Sequence, residues 1–466
     1  MMKLSMQQLN NAYYFWFSES LSASQQWFCH WRFPDELKYP EPSSSYSFQS
    51  DEKTRIWLYQ SGSFHFQGGI FMPATKPSLM NHLNNNFANL TPVGIREFDA
   101  KASAVPGIVK LTLGEPDFNV PDAMKQAAIN SIKNNDSHYA PGVGTAALRK
   151  AIAHFFLNDR YQLDYDPDGE IAVTIGATQG IYAALSALIN PGDEILIATP
   201  TFPLYMAITT ILGGKVVEID TSDNDFVLTP AKLKETIAAH PSAKALILNY
   251  PSNPTGVTYS SSQVEALAGA VKDTDLVVIA DEIYSELVYD GQHTSIAKFI
   301  PDQTLILNGA SKSHAMTGYR IGFIAGPKQL MGPVSAISGM MITSATDSAM
   351  AAATAAFGTE AGHQATLKMK EAYQERRDFL VGALHKLGFD LATPHGAFYV
   401  FAKIPNSAGN DDVAFATKLA EKGRVAVIPG SYFGAGGQGF LRLSYATSMD
   451  NLKLAVDRIA EFLKED

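Results

Sequence analysis

The chain has 466 residues, a formal net charge of −10 at pH 7 and one cysteine, Cys29. This length allows two or three domains with a large core, and the acidic balance excludes the basic surface of a typical nucleic-acid-binding protein. One cysteine excludes an internal disulfide and a cysteine-based zinc site. No apolar run reaches the roughly 18 residues that cross a membrane, and no signal peptide is recognisable. We therefore expect a cytoplasmic protein.

Residues 1–79 differ in composition from the rest of the chain. They contain the only cysteine and all four tryptophans, which are Trp16, Trp27, Trp31 and Trp57. The segment has no sustained helical or strand periodicity, and polar residues, glycine and proline interrupt it repeatedly. We predict an appendage of uncertain order without a fold of its own, for which an over-extended start of translation is one explanation. A small partner-binding domain is the alternative.

After Met80, predicted helices alternate with short apolar strands. A strand that runs into a turn is expected at 111–118, and helices are expected over 121–134, 145–157 and 178–189. Further strands are predicted at 171–175, 194–198, 215–219, 243–249, 276–280, 304–307 and 321–325. These strands are continuous apolar runs, which is typical of strands buried on both faces in a mostly parallel sheet covered by helices.

The last third of the chain has a different pattern. A long polar helix is predicted over 365–387, followed by strands at 397–402, 424–427 and 439–445 and by helices at 411–423 and 450–464. This mixture predicts a separate, smaller α+β domain.

The most specific motif lies at 308–323, N-G-A-S-K-S-H-A-M-T-G-Y-R-I-G-F. Lys312 follows a buried strand and has small neighbours, which leave room for a bulky group, and Arg320 comes eight residues later. A lone S-K pair is more often a surface lysine in a loop. The full pattern S-K-x5-G-x-R-I-G resembles the Schiff-base lysine segment of the class I and II aminotransferases, the fold-type-I enzymes that use pyridoxal 5′-phosphate.

A phosphate group needs backbone N–H groups at the start of a helix, where the helix dipole favours an anion. Gly176, Ala177 and Thr178 lie between a predicted strand and helix, although such junctions are common. The resemblance implies that Ala177, Thr178 and Arg320 bind the phosphate. It adds the Ser311 hydroxyl and, from a neighbouring subunit, Tyr139. Gly309 stands where the family often has a serine, a departure that affects one phosphate contact.

The cofactor ring needs a carboxylate at its nitrogen and donors at its phenolic oxygen. Asp281 ends an apolar strand in A-D-E-I-Y, where a lone acid is as often a helix cap. Asn253 lies in N-Y-P-S-N-P-T-G, whose second half is otherwise a turn signal. The resemblance assigns Asp281 to the ring nitrogen, Tyr284 and Asn253 to the phenolic oxygen, and Phe202 to the ring face, although an isolated phenylalanine is more often a core residue.

The substrate carboxylate needs a bidentate guanidinium. Arg442, in F-L-R-L-S-Y, lies on a predicted strand between apolar residues, where a charge requires a partner. The resemblance implies that Arg442 binds this carboxylate, with Gly114 and Asn253 also at the substrate. We predict no metal site.

The resemblance covers about residues 81–466 and implies a three-layer α/β fold. It predicts a large domain at 126–345 that binds the cofactor in a mostly parallel sheet, and a small α+β domain at 346–466 joined by the N-terminal segment 80–125. It also implies a homodimer with shared active sites.

The predicted activity is transfer of an amino group from an L-amino acid to a 2-oxo acid such as 2-oxoglutarate, by a ping-pong mechanism that runs through an aldimine. The catalytic residues would be Lys312, Asp281 and Tyr284, with Lys312 as general base and acid. The sequence looks closest to Gram-positive enzymes for aromatic amino acids or N-acetyl-diaminopimelate, and Thr178 replaces a lysine of several aspartate enzymes. The alternatives are a C–S β-lyase on the same fold and a non-catalytic regulator, which residues 1–79 disfavour because they lack a basic helix-turn-helix.

Overall fold

The computed structural model of the protein describes residues 28–29, 47–50, 54–58, 64–67, 77–90 and 94–465. The chain divides into two compact units, Met1–Leu83 and Asn84–Asp466. Among the described residues, no helix is both long enough and apolar enough to pass through a membrane.

The first unit contains a four-stranded antiparallel sheet. Its strands lie in the order Phe28–Cys29, Phe64–Gln67, Thr54–Leu58 and Ser47–Ser50, and a 3₁₀ helix follows at Pro77–His82. Strands of two to five residues are too short to give a sustained period in the sequence. Most of segment 1–79 lies outside the described residues, so its assignment as an appendage stays a prediction.

The second unit is built around a seven-stranded sheet. The strands lie in the order Ile171–Ile175, Ile321–Ala325, Thr304–Gly309, Val277–Asp281, Ala245–Asn249, Glu194–Thr199 and Lys215–Asp220. Every pairing is parallel except the two that involve Ile321–Ala325. The predicted α/β fold with a mostly parallel sheet is confirmed, and the strand positions agree with the prediction to within two residues.

Both faces of this sheet are buried, as the continuous apolar runs predict. Leu246 and Val278 belong to a core shared with helices Pro230–Ala239 and Ser261–Val271. Their neighbours Ile247 and Ile279 belong to a different core, shared with helices Gly176–Leu188 and Lys328–Met341. Because successive side chains on a strand point to opposite faces, each strand contributes to both helical layers.

The helices of this unit account for most of its remaining residues. The α-helices are Gly94–Ser103, Asp122–Lys133, Ala146–Lys150, Asp159–Tyr161, Gly176–Leu188, Leu204–Ile211, Pro230–Ala239, Ser261–Val271, Ala310–Ser313, Lys328–Met341, Asp347–Gly358, Glu360–Lys386, Asp412–Glu421 and Met449–Glu465. A π-helical segment, Ala151–Asn158, continues Ala146–Lys150. Short 3₁₀ turns lie at Asn85–Asn89, Ser222–Asn224, Ile296–Lys298, Pro301–Gln303, Thr317–Tyr319, Asn406–Ala408 and Gly430–Phe433.

A second, smaller sheet contains the strands of the last third. Its antiparallel order is Asp390–Leu391, Tyr399–Lys403, Phe440–Ser444 and Ile428–Pro429. Beside it, Val425–Ala426 pairs in parallel with Val109–Lys110 from the start of the unit. The domain boundaries given above stay predictions.

Two element predictions differ from the structure. The strand expected at 111–118 is wrong: the strand is Val109–Lys110, and residues 111–118 are irregular. The chain leaves the sheet after Leu111, whose carbonyl accepts the last backbone bond from Ser444 at 2.8 Å. The long helix begins at Glu360, five residues before the predicted start, because the Thr359 side chain caps it by accepting from the Gly362 N–H at 3.2 Å.

Candidate active site

The carboxyl ends of the parallel strands line a cavity of about 560 Å³. Every predicted site residue except Tyr139 lines it. These residues are Gly114, Ala177, Thr178, Phe202, Asn253, Asp281, Tyr284, Ser311, Lys312, Arg320 and Arg442. Because parallel strands end at the same edge of the sheet, residues far apart in the chain meet there.

Lys312 lies in the single turn Ala310–Ser313, directly after the strand Thr304–Gly309. Its Nζ donates a hydrogen bond of 2.6 Å to the carbonyl oxygen of Gly114. Burial lowers the pKa of the Lys312 amine to about 8; Glu115 opposes this shift and Arg320 adds to it. An amine with such a pKa is largely neutral above about pH 8, well below the range of an ordinary lysine, and the neutral form is the nucleophile.

Gly176 and Ala177, at the start of a helix, lie close to Arg320 and Gly322 beside Lys312. We call this group of residues the anion-binding corner. Gly176, with φ of +64°, opens the helix Gly176–Leu188, and its N–H donates to the Arg320 carbonyl oxygen at 2.9 Å. A Cβ on Gly176 would lie 2.5 Å from Nη2 of Arg320, and one on Gly322 would lie 2.5 Å from the nitrogen of Ala177. The first N–H groups of the helix and the guanidinium are therefore held together with no room for a side chain between them.

Gly309 is also closely packed. A Cβ at this position would lie 2.7 Å from the carbonyl oxygen of Ile321 and 2.8 Å from Cα of Gly322. A serine here would require the backbone to shift, which is a physical reason for the departure seen in the sequence.

Asp281 lies beneath the cavity at the end of Val277–Asp281. Its Oδ2 accepts a 2.7 Å hydrogen bond from the Tyr205 hydroxyl, and its Oδ1 accepts from the Ile283 N–H at 3.2 Å. Burial raises the pKa of the Asp281 carboxyl to about 6, and the two hydrogen bonds oppose this shift. A cation placed against this carboxylate would stabilise its ionised form.

Arg442 is 4% exposed and has only uncharged hydrogen-bond partners among the described residues. Nη1 donates to Oδ1 of Asn253 at 3.0 Å, and Nη2 donates to the Thr112 carbonyl oxygen at 2.7 Å. Nε has no hydrogen-bond partner in the described part of the chain. A buried guanidinium with a free N–H group provides a site for a carboxylate.

Comparison with known proteins agrees with this geometry. The model of the family "Aminotransferase class I and II" matches residues 106–459. The chain belongs to this family. A probable N-acetyl-LL-diaminopimelate aminotransferase of Bacillus subtilis is 38% identical over 385 residues, which are 82% of this chain and 96% of that protein.

Two further comparisons extend across most of the chain. An aspartate/prephenate aminotransferase of Thermus thermophilus is 39% identical over 358 residues, which are 76% of this chain and 91% of that protein. The solved structure of Thermus thermophilus aspartate aminotransferase with maleate has a TM-score of 0.77 and 36% identity, and the match covers 82% of this chain and 99% of that one. The protein is an aminotransferase, and enzymes of this family use pyridoxal 5′-phosphate.

The residues of this aminotransferase fit that cofactor. The cavity offers an amine for an aldehyde (Lys312), an anion-binding corner for a phosphate and a buried carboxylate for a ring nitrogen (Asp281). Tyr284, whose pKa is raised by burial, offers a neutral hydroxyl for the phenolic oxygen. The phosphate corner is the most constrained part of the fit, because a Cβ at Gly176 would meet the Arg320 guanidinium and a Cβ at Gly322 would meet backbone atoms of Gly176 and Ala177.

Sequence reasoning missed two tyrosines of the site. The Tyr205 hydroxyl donates to Asp281, and the hydroxyls of Tyr284 and Tyr399 are 2.8 Å apart. The spacing in T-F-P-L-Y, which places Tyr205 three residues after Phe202, could have indicated the first contact. No local pattern indicates the second, because its partners are 115 residues apart.

Tyr139 does not line the cavity. It is 87% exposed and lies in the loop before Gly142, where the chain passes close to Thr343. Its assignment to the phosphate of a neighbouring subunit stays a prediction.

Proposed function

We propose that this aminotransferase moves the amino group of an L-amino acid to a 2-oxo acid by a ping-pong exchange. The observation that carries this proposal is the placement of the Lys312 amine and the Arg442 guanidinium in one cavity, with the Asp281 carboxylate beneath it. Pyridoxal 5′-phosphate, when bound, supplies the electron sink for proton removal beside an amino group. All other parts of the reaction belong to side chains of this chain.

Arg442 binds the substrate carboxylate. Its guanidinium carbon lies 4.6 Å from the Tyr399 ring centroid, and Nε has no hydrogen-bond partner among the described residues, so an N–H group remains in the guanidinium plane for a carboxylate. Asn253, which accepts from Nη1, holds the guanidinium in that plane. The α-carbon of the substrate is thereby directed towards the Lys312 amine.

Lys312 moves the proton. In its neutral form the amine takes the proton from the substrate α-carbon and returns it one position away, as general base and then general acid. Asp281, whose carboxylate is oriented by Tyr205, would keep a proton on the ring nitrogen of the bound cofactor. Tyr284 and Asn253 would hold the phenolic oxygen and Phe202 would cover a ring face. The phosphate would be held by Ala177, Thr178, Ser311 and Arg320.

An acceptor such as 2-oxoglutarate has a second carboxylate, which needs a cation beyond those already used. Arg96, on the helix Gly94–Ser103, lines the mouth of the cavity, is exposed, and has no hydrogen-bond or ion-pair partner among residues 94–465. Ile95 and Leu113 line the same mouth and offer apolar contact. This combination supports an aromatic or diaminopimelate-like donor together with a dicarboxylic acceptor.

The proposed assembly is a homodimer in the cytoplasm. Ile132, Tyr139 and Met340 are 68%, 87% and 84% exposed, and the Tyr139 loop lies against the residues that follow Met340. A second copy covering these apolar side chains would bring its own Tyr139 towards the phosphate corner. Sedimentation of the purified holoenzyme tests this assembly.

The test of the activity is a matrix of amino donors against 2-oxoglutarate and pyruvate. We expect parallel double-reciprocal lines, and release of one equivalent of 2-oxo acid when the holoenzyme meets a donor alone. Release of pyruvate, ammonia and a thiol from a cysteine conjugate, without amine transfer, would instead establish the β-lyase. Arg96→Gln should raise KM for 2-oxoglutarate and leave KM for pyruvate unchanged.

A further inference from the structure

Asp281 ends the strand Val277–Asp281 and Glu282 is the next residue, and the two side chains have different environments. Asp281 lines the cavity, whereas Glu282 does not line it and is 2% exposed. The Glu282 side chain lies instead among Tyr250, His293 and Ser295. The mechanism described above gives Glu282 no role.

Two hydroxyl groups donate to the Glu282 carboxylate, and an imidazole lies beside it. The Ser295 hydroxyl donates to Oε1 at 2.6 Å, and the Tyr250 hydroxyl donates to the same oxygen at 3.2 Å. Nε2 of His293 lies 3.0 Å from Oε2 but makes no hydrogen bond within the described part of the chain. Burying a carboxylate in this way is rarely more stable than an apolar residue of the same shape, so stability alone does not explain the charge.

The partners of Glu282 belong to segments that carry other site residues. Tyr250 lies in the loop between Asn249 and Asn253, where Oδ1 of Asn249 accepts from the Asn253 N–H at 2.9 Å. Nδ2 of Asn249 donates to the Asp281 carbonyl oxygen at 3.0 Å. The backbone N–H of Glu282 donates at 2.9 Å to Leu307, on the strand that leads to Lys312. The Glu282 carboxylate therefore contacts the loop that carries Asn253 through Tyr250, and the Glu282 backbone contacts the strand that leads to Lys312.

Glu282 also acts electrostatically on the site. A buried negative charge one residue from Asp281 makes the potential at the ring nitrogen more negative and favours a proton there. The other ionisable groups that face Asp281 are Tyr205, Tyr284 and Lys312, and those that face Glu282 are Tyr165, Tyr250 and His293.

We propose that Glu282 is a positioning residue, which orients Asp281 and supplies part of the negative potential that keeps the cofactor ring nitrogen protonated. This inference rests on the proposed role of Asp281. It predicts that removing the Glu282 charge weakens proton transfer without weakening substrate binding.

The decisive variant is Glu282→Gln, studied as holoenzyme. We expect kcat to fall about tenfold with KM within about twofold, because the lost interaction acts at the reacting centre. The pH midpoint of the cofactor absorption band should move to lower pH, since removing a negative charge lowers the proton affinity of nearby nitrogens. Glu282→Asp keeps the charge, so its pH midpoint should stay close to that of the parent.

Asp412→Asn is the matched control. Asp412 is also fully buried, accepts from the Ser431 N–H at 2.8 Å and from Gln438 at 2.9 Å, and does not line the cavity. We expect this variant to lower the melting temperature and to leave the absorption midpoint and kcat unchanged. If Glu282→Gln behaves in the same way, the carboxylate is only structural and the inference is wrong.

A second pair of variants covers the case in which Glu282→Gln does not fold. Ser295→Ala and Tyr250→Phe each remove one donor and keep the charge, and each should lower kcat with KM unchanged. Parental kcat in both variants would contradict the inference. Asp281→Asn separates the two proposals. If Asp281→Asn is inactive and Glu282→Gln keeps the parental kcat, only the proposed role of Glu282 is wrong. If Asp281→Asn is active, the proposed role of Asp281 is wrong.

Discussion

The Lys312 amine donates a 2.6 Å hydrogen bond to the carbonyl oxygen of Gly114, 198 residues earlier in the chain. Two residues before Gly114, the carbonyl oxygen of Thr112 accepts from Arg442. The irregular segment after Leu111 therefore contacts both the lysine and the arginine, because its carbonyls are not used by a sheet. Its position sets the distance between the group that moves the proton and the group that binds the substrate.

Replacing Lys312 with alanine should abolish amine transfer, because the covalent attachment point and the proton carrier are lost together. The visible absorption of the lysine-bound cofactor should disappear as well. Lys328→Ala, at an exposed lysine outside the cavity, is the control and should behave as the parent. Turnover of Lys312→Ala at the parental rate would contradict the assignment of the whole site.

Asp281→Asn should retain the cofactor and lose most of the activity. The neutral amide cannot keep the ring nitrogen protonated, and we expect a loss on the order of 10³-fold in kcat. Tyr205→Phe removes only the hydrogen bond to Oδ2, so its loss should be smaller. Single-turnover rates with one donor measure both effects, and a mild effect of Asp281→Asn would mean that another group serves the nitrogen.

The pH dependence of cofactor attachment should follow the Lys312 amine. Burial lowers the pKa of this amine to about 8, so it is charged below that pH and neutral above it. The rate at which apoenzyme binds pyridoxal 5′-phosphate covalently should therefore rise with pH and level off above about pH 8. A rate that keeps rising to about pH 10, the range of an ordinary lysine, would contradict the effect of burial.

The sequence allowed prediction of the parts of this site that lie next to strand ends. Lys312 and Asp281 each follow a buried apolar run, and parallel strands bring such ends together. The contacts of Tyr205 with Asp281 and of Tyr399 with Tyr284 could not be predicted in the same way. They depend on how separate segments pack, and their partners are 76 and 115 residues apart.

The irregular course of residues 111–118 also could not be predicted from the sequence. L-T-L, residues 111–113, has the composition of a strand. After Leu111, however, side chains of other segments bind the carbonyl groups that a neighbouring strand would otherwise bind. The Thr112 and Gly114 carbonyls accept from side chains instead of continuing the sheet. Tertiary contacts of this kind override local propensity.

Arg442→Lys should mainly weaken substrate binding. Lysine keeps the charge but lacks the planar fork, and it leaves Asn253 and the Thr112 carbonyl without their donors. We expect KM for donors and acceptors to rise about tenfold or more, with the cofactor absorption unchanged. Unchanged affinity for both substrates would mean that their carboxylates bind elsewhere.

Deleting residues 1–79 should leave a folded, active, cofactor-bound enzyme. Among the described residues, every one that lines the cavity lies at Ile95 or later, and the family match begins at residue 106. The second compact unit begins at Asn84, so a form that starts there is a stricter version of the same test beside the form that starts at Met80.

The two shortened forms are compared with the full chain by melting temperature, cofactor content and turnover. Near-identical values for all three would support the appendage, because a segment that contributes neither to the core nor to the site can be removed without cost to either. Loss of cofactor only in the form that starts at Asn84 would assign a role to residues 80–83. Insolubility of both short forms would contradict the appendage, because the enzyme would then need the N-terminal segment to fold or to stay in solution.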